Sequence, residues 1–259
     1  MKITGYSERG AVNALFYEIA YSSAPLRRLE GFLALAHFGG GLQIAEGLSG
    51  AQVFIEQSLS DFGDADAILL LDVGERRTLV FLEAKVKSSS AEDWTLDREF
   101  GQFMEGCRTD RKLNSSNLFT QLYHKTRLVE GLVSSGGVTA LKNGLDFPAC
   151  STKGRRKIGQ NPIVLKVVNE IAGYATDVWY LALVPDTTKN VRAFFEDLAK
   201  GPWPLPKAPN LARWGGLAWE NVLGFCDSAN LPNTRRILEF NGEQICSQKA
   251  AQRTAAADR

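Results

Sequence analysis

Histidine is almost absent from this chain. Its two copies in 259 residues, His37 and His124, stand far apart in sequence, which leaves little material for a His-rich zinc site or for a serine or cysteine triad. Cysteine is scarce too. Cys107, Cys150, Cys226 and Cys246 are scattered without a C-x-x-C spacing, and they read as free thiols of a reducing compartment, not as a disulfide framework. No apolar run approaches the roughly 18 residues that a spanning helix needs. The amino terminus, Met1 to Gly5, turns polar at Ser7, Glu8 and Arg9 and lacks the apolar core of a secretion signal. These absences predict a cytoplasmic chain with no membrane partner. No internal repeat is visible. What is present is an ordinary globular balance, 44% hydrophobic and 23% charged, in a length that fits one or two domains.

The net charge of +1 hides an uneven distribution. Residues 61–100 carry five basic and ten acidic side chains, and residues 101–170 carry eleven basic and five acidic ones. An acidic block followed by a basic block suits a cation-gathering site beside a surface that attracts phosphates. Solvated faces of separate elements are the plainer alternative.

Periodicity predicts a helix over residues 7–20, capped by Ser7, with Val12, Leu15, Phe16 and Ile19 on one face. The run Leu29–His37 reads as more helix. Strands are predicted at 52–59, 66–72 and 78–86, the last two joined by a tight turn at Gly74. Helices follow at 97–107 and at 117–132, the latter capped by Ser116 or Asn117. Residues 133–160 read as a long loop. A helix at 162–173, a buried strand at 178–184 and a helix to about residue 198 come next. Residues 201–210 are proline-rich and extended. The stretch to 246 has no clear pattern, and 247–259 reads as a polar, frayed tail. The expected organisation is one domain over 1–246, with a core at 5–200 and a carboxy-terminal elaboration at 201–246. Its pattern is mixed α/β.

The second and third strands are apolar on both faces, as central strands are. Charges nevertheless interrupt them: Asp66 at the start of one, Glu83 and Lys85 near the end of the other. Burying such groups is costly unless they pair, bind an ion or meet water. If Gly74-Glu75 is a two-residue turn, Asp72 opposes Arg77 and Asp66 opposes Glu83. Opposed residues share a side of the sheet with Cβ atoms about 5 Å apart, and Lys85 falls on that side as well. Two carboxylates and an amine therefore converge at the open end of one hairpin. Paired carboxylates can hold Mg²⁺ or Mn²⁺ through oxygen. Such an ion polarises a phosphodiester and lowers the pKa of a bound water, while the lysine positions that water or stabilises developing charge. On a helical wheel Glu8 lies at the centre of the first helix's buried stripe, whereas Glu18 is at its margin, about 80° away. Glu8 is the preferred further metal or water ligand; a solvated first-turn acid facing the helix dipole is the alternative.

These residues resemble the PD-(D/E)XK nuclease superfamily, the restriction-endonuclease-like fold. The match is Asp66-Ala67-Ile68-Leu69-Leu70-Leu71, then Leu79-Val80-Phe81-Leu82-Glu83-Ala84-Lys85. Glu83-Ala84-Lys85 stands as the E-x-K element, Asp66 as the preceding aspartate, and Glu8 or Glu18 as the upstream helical acid. The resemblance covers roughly residues 5–130 and the strand at 178–184. It implies an α-β-β-β-α-β core with a central mixed sheet, Mg²⁺- or Mn²⁺-dependent cleavage of phosphodiesters, and a nucleic-acid substrate, DNA first. It is compatible with a homodimer, since cutting two strands needs two sites. One departure is Ala65, where the family pattern has proline; it makes Asp64 a rival for the aspartate role. Asp110-Arg111-Lys112 fits the bare E/D-x-K pattern equally well but has no apolar strand around it. A catalytically inactive nucleic-acid- or protein-binding domain of the same fold is the alternative, as is an unrelated domain with an ion-paired core.

Some branches of that superfamily place a glutamine or lysine on the helix after the E-x-K strand, so Gln121 or Lys125, one turn apart, is expected to face substrate; an exposed polar face is the alternative. The run Lys153-Gly154-Arg155-Arg156-Lys157 can contact phosphates from a loop, with Arg155, Arg156 and Lys157 as the substrate-binding candidates. The five tryptophans read as core or loop anchors. Pro202-Trp203-Pro204-Leu205-Pro206 reads as a surface strap.

Overall fold

Gly74 takes φ +60°, the sign that a type II′ hairpin turn requires of its first central residue. On that turn strand β3 (Asp64–Val73) folds back against β4 (Arg76–Ala84). The pairing runs from Val73 opposite Arg76 to Ala67 opposite Leu82, the register expected for a two-residue turn. In this computed structural model the described residues are 7–44, 46–87, 94–109, 113–146, 155–201 and 210–245. The remaining strands are β1 (His37–Phe38), β2 (Leu48–Ser58), β5 (Leu145–Asp146), β6 (Arg155–Arg156), β7 (Val178–Val184) and β8 (Trp214–Ala218). The helices are α1 (Glu8–Ala20), α2 (Pro25–Leu33), α3 (Leu96–Thr109), α4 (Leu118–Val133), α5 (Gly137–Asn143), α6 (Pro162–Ala172), α7 (Thr188–Leu198), α8 (Trp219–Ser228), α9 (Pro232–Phe240) and α10 (Gly242–Ile245).

Six strands form one mixed sheet in the order β1-β8-β7-β4-β3-β2. β2, β3 and β4 are antiparallel neighbours, β4, β7 and β8 run parallel, and β1 closes the edge antiparallel to β8. Side-chain alternation splits the central strands between two cores. Ile68, Leu70, Leu79 and Phe81 pack with α3, α4, α6 and α7. Ala67, Leu69, Leu71, Val80 and Leu82 pack with α1, α2, α8 and α9. The first core is rich in rings: Phe100 meets Phe119 at 5.0 Å and Phe194 at 5.7 Å, edge to face, tying α3, α4 and α7 together. Helix starts carry the expected caps. Asn117 accepts from the Thr120 amide and Thr187 from that of Asn190.

The structure corrects several expectations. Helix α2 ends at Leu33, and His37, expected in the helix, pairs in β1 instead. The supposed loop 133–160 contains α5 and the β5–β6 ribbon. The region beyond residue 200 supplies β8 to the central sheet, so the sheet core does not stop there. Trp179, Trp214 and Trp219 are buried anchors. Cys107 and Cys226 are free thiols. Cys150, Cys246, the triplet 110–112, Lys153, the proline-rich 202–206 and the tail 247–259 lie outside the described residues. Among the described residues, no helix is long and apolar enough to cross a membrane.

Candidate active site

The sheet opens around Asp66. Its neighbours in β3 pair normally with β2, Ala67 with Ile55 and Ala65 with Gln57, but Asp66 itself pairs with neither flanking strand. Glu56, which the register sets across from it, takes φ 51°. The Asp66 carboxylate fills the gap: its Oδ2 accepts the Ala84 amide at 2.7 Å. Alternation with Ile68 and Leu70 puts Asp66 on the α4 side of the sheet. Asp64 is exposed. Both aspartates line a polar cavity of about 390 Å³ that also touches Glu8, Arg9, Gln121 and Arg156.

Glu83 and Lys85 do not line that cavity and are buried, 1% and 8% exposed. Glu83 Oε1 stands 2.9 Å from Lys125 Nζ. Among the described residues, Oε1 is engaged by that ion pair alone and Oε2 meets no donor. Burial raises the Glu83 pKa to about 7, against the opposing pull of Lys125 and Lys85; the nearby Asp66 charge adds to the rise. Burial also raises Asp66, with the Ala84 amide and the Lys85 ammonium pulling it back. Glu8 reaches the strand ends from α1, across the sheet from α4. Burial lifts its pKa, Lys85 lowers it, Asp66 raises it, and Arg9 and the Val86 amide lower it. The mutual electrostatics of Glu8, Asp66, Glu83 and Lys85 mark one local cluster. Among the described residues, the Lys85 side chain has no ion-pair partner.

Of the two candidate upstream acids, only Glu8 belongs here. Glu18 instead caps α9: its Oε2 accepts from the Thr234 amide and hydroxyl at 2.7 Å each, and its Oε1 from the Asn233 amide at 3.1 Å. Gln121 lines the cavity, and its buried Oε1 has no hydrogen-bond partner among the described residues. Lys125, the other candidate to meet substrate, has 0% exposure. It points inward because Glu83 and the carbonyls of Phe62 and Asp64 offer its ammonium three acceptors. Arg156 lines the cavity, Lys157 is exposed beside it, and Arg155 turns away to Asp146 in the β5–β6 ribbon, 3.3 Å distant.

Sequence reasoning missed Arg9, Ser60 and Asp61. Arg9 lines the cavity and is steadied by Glu56 at 3.8 Å; its place next to Glu8 on the helix was the available signal. Ser60 and Asp61 sit in a turn with no sequence signature. His124 is buried at the cavity wall, and burial with the charges of Arg156 and Lys125 lowers its pKa to about 3. It is neutral at physiological pH. The chain matches no family model, no curated protein and no solved structure.

The donor set suits a hard cation, since Asp66, Glu83 and Glu8 offer carboxylate oxygen only. The buried, donorless Glu83 Oε2 is the atom that such an ion would satisfy. Against this, among the described residues no three His, Cys, Asp or Glu side chains stand close enough to ligate one ion as placed.

Proposed function

We propose that this chain is a divalent-metal-dependent nuclease that hydrolyses phosphodiester bonds in nucleic acid, DNA first, and that its sheet is a restriction-endonuclease-like core. The observation that supports this most is the opening of the sheet at Asp66, where Asp66 and Glu8 line a polar cavity together with Arg9 and Arg156 and interact electrostatically with the buried Lys85, Asp66 also with the buried Glu83. Asp66, Glu83 and Glu8 would hold Mg²⁺ or Mn²⁺. When bound, such an ion supplies Lewis acidity toward the phosphodiester and lowers the pKa of a water. Lys85 offers a compact positive charge for the phosphorane-like transition state or a donor to orient the attacking water. Arg9 and Arg156, which line the cavity, orient the phosphate backbone. Gln121 presents an amide to the substrate from α4.

The test is incubation of purified protein with DNA and RNA in Mg²⁺ or Mn²⁺, beside Asp66→Ala, Glu83→Ala and Lys85→Ala. The expected result is metal-dependent cleavage reduced by a factor of about 100 or more in each variant. Cleavage of equal rate in all three would remove these residues from the reaction.

A second reading is a noncatalytic binding domain with an ion-paired core. The closed Glu83–Lys125 pair and the lack of a tight three-ligand group among the described residues favour it. It predicts nucleic-acid or protein binding with no response to divalent cations.

A further inference from the structure

Lys125 is among the largest fully buried side chains of the protein, and it is a cation. An ammonium has three protons to donate. Here they meet three oxygens: Glu83 Oε1 at 2.9 Å, Asp64 O at 2.8 Å and Phe62 O at 3.2 Å. The Phe62 carbonyl belongs to the turn that links β2 to β3, and the Asp64 carbonyl to the first residue of β3. That turn is shaped to close over the ammonium. Gly63 takes φ +79°, and a Cβ there would lie 3.4 Å from Lys125 Nζ. The turn's outer side carries the basic segment that follows β6. The Lys157 amide donates to Asp61 Oδ2 at 3.0 Å, the Asp61 amide to Lys157 O at 3.3 Å, and the Gly159 amide to Ser60 Oγ at 2.7 Å. Arg156 donates to the Asp61 carbonyl.

One buried amine thus connects the acid at the end of β4 with a cationic segment more than 70 residues away in sequence. Replacing a buried ion pair with apolar groups of similar volume is often neutral for stability, so a core with no positional task has no need of it. We propose that Lys125 is a positioning residue: through the turn 60–63 it fixes the basic segment 156–159 at the height above the acidic centre where a phosphate backbone would lie. The substrate role rests on the nuclease reading; the mechanical coupling does not.

The experiment separates the two. Amide hydrogen exchange at Lys157 and Gly159 is measured in the free protein, without cation or nucleic acid, for wild type, Lys125→Met and Lys125→Gln. Lys125→Met is expected to speed exchange at both amides by about tenfold or more while amides of β7 keep their protection. Lys125→Gln, which retains two donors, is expected to fall between. Unchanged exchange at Lys157 and Gly159 overturns the coupling, and so does a speed-up shared equally by β7, which reports lost global stability. Should Lys125→Met not fold, Gly63→Ala displaces the same turn through its φ and is held to the same two amides. Binding of a fluorescent DNA duplex in chelator is the second arm. About tenfold weaker binding by Lys125→Met, at a residue with no exposed surface, is the expected result. Equal affinity in both proteins overturns the substrate role. A wild type that binds no oligonucleotide removes the nuclease reading and that role together, while the exchange result still decides the coupling.

Discussion

Glu83 and His124 are both buried at the candidate site, and burial moves them in opposite directions. The carboxyl is raised from 4.5 to about 7 and the imidazole is lowered from 6.5 to about 3. For His124 the folded state refuses a proton that the unfolded chain accepts. Its contribution to stability is therefore intact above pH 6.5 and is lost as pH falls toward 3. For Glu83 the folded state keeps a proton that the unfolded chain releases. Its contribution is intact below 4.5 and is lost as pH rises through about 7. A variant His124→Leu should therefore flatten the acid limb of the stability curve between pH 6.5 and 3, measured by urea unfolding at several pH values; an unaltered limb would show that His124 is not held neutral. Ion binding requires the Glu83 proton to leave. Mn²⁺ affinity should accordingly rise between about pH 6 and about pH 8, followed by titration calorimetry. An affinity independent of pH there would place the ion away from Glu83. At this scale the sequence was partly legible. Asp66, Glu83 and Lys85 stood out because charges in a two-sided apolar strand are unusual. Lys125 and Gln121 are one turn apart on a helix, yet one is sealed and the other lines the cavity, and only the turn at Phe62–Asp64 decides which.

Helix α9 and strand β8 show why elements differ in legibility. The β3–β4 hairpin was readable because every residue from Ala67 to Leu71 and from Leu79 to Leu82 is apolar and the turn holds a glycine. Strand β8 reads Trp214-Gly215-Gly216-Leu217-Ala218, and paired glycines suggest a loop. They are there because neighbours on both sides leave no space. A Cβ on Gly215 would lie 2.3 Å from the Phe38 ring, and one on Gly216 would lie 2.3 Å from the Phe195 ring. That contact is non-local and has no signature in the sequence. Gly216→Ala should destabilise by about 1–3 kcal/mol, with Phe195 displaced from its rotamer; thermal unfolding checks it, and a wild-type melting temperature would contradict the packing described. The start of α9 depends on Glu18 in the same non-local way, four acceptor contacts from a helix more than 200 residues earlier. Glu18→Ala should cost about 1–2 kcal/mol, which is a fall of roughly 2–8 °C in a domain of this size. It should leave cation binding unchanged, because Glu18 has no part in the acidic cluster. Loss of Mn²⁺ binding in Glu18→Ala would reverse the assignment in favour of Glu8.

Across the whole molecule, the parallel strands β4, β7 and β8 end on the side where Glu83 and Lys85 lie, and ligands of open α/β sheets bind outside the carboxyl ends of their strands. Helices on both faces then supply the rest: α1 brings Glu8 and Arg9 from one core, α4 brings Gln121 and His124 from the other. The acidic and basic blocks of the sequence meet at this end, where Asp61 holds Arg156 and Lys157. Composition alone indicated the two blocks but not their juxtaposition, which needs the chain to return from residue 156 to the turn at Asp61. Everything proposed for function requires that the acids at this end hold a divalent cation. Calorimetric titration of the full chain with Mn²⁺ at about pH 8, beside Asp66→Asn of unchanged circular dichroism, tests that requirement directly. Saturable binding in the wild type that Asp66→Asn abolishes is the predicted result; a wild type that takes up no Mn²⁺, or an Asp66→Asn that binds it equally well, would contradict it.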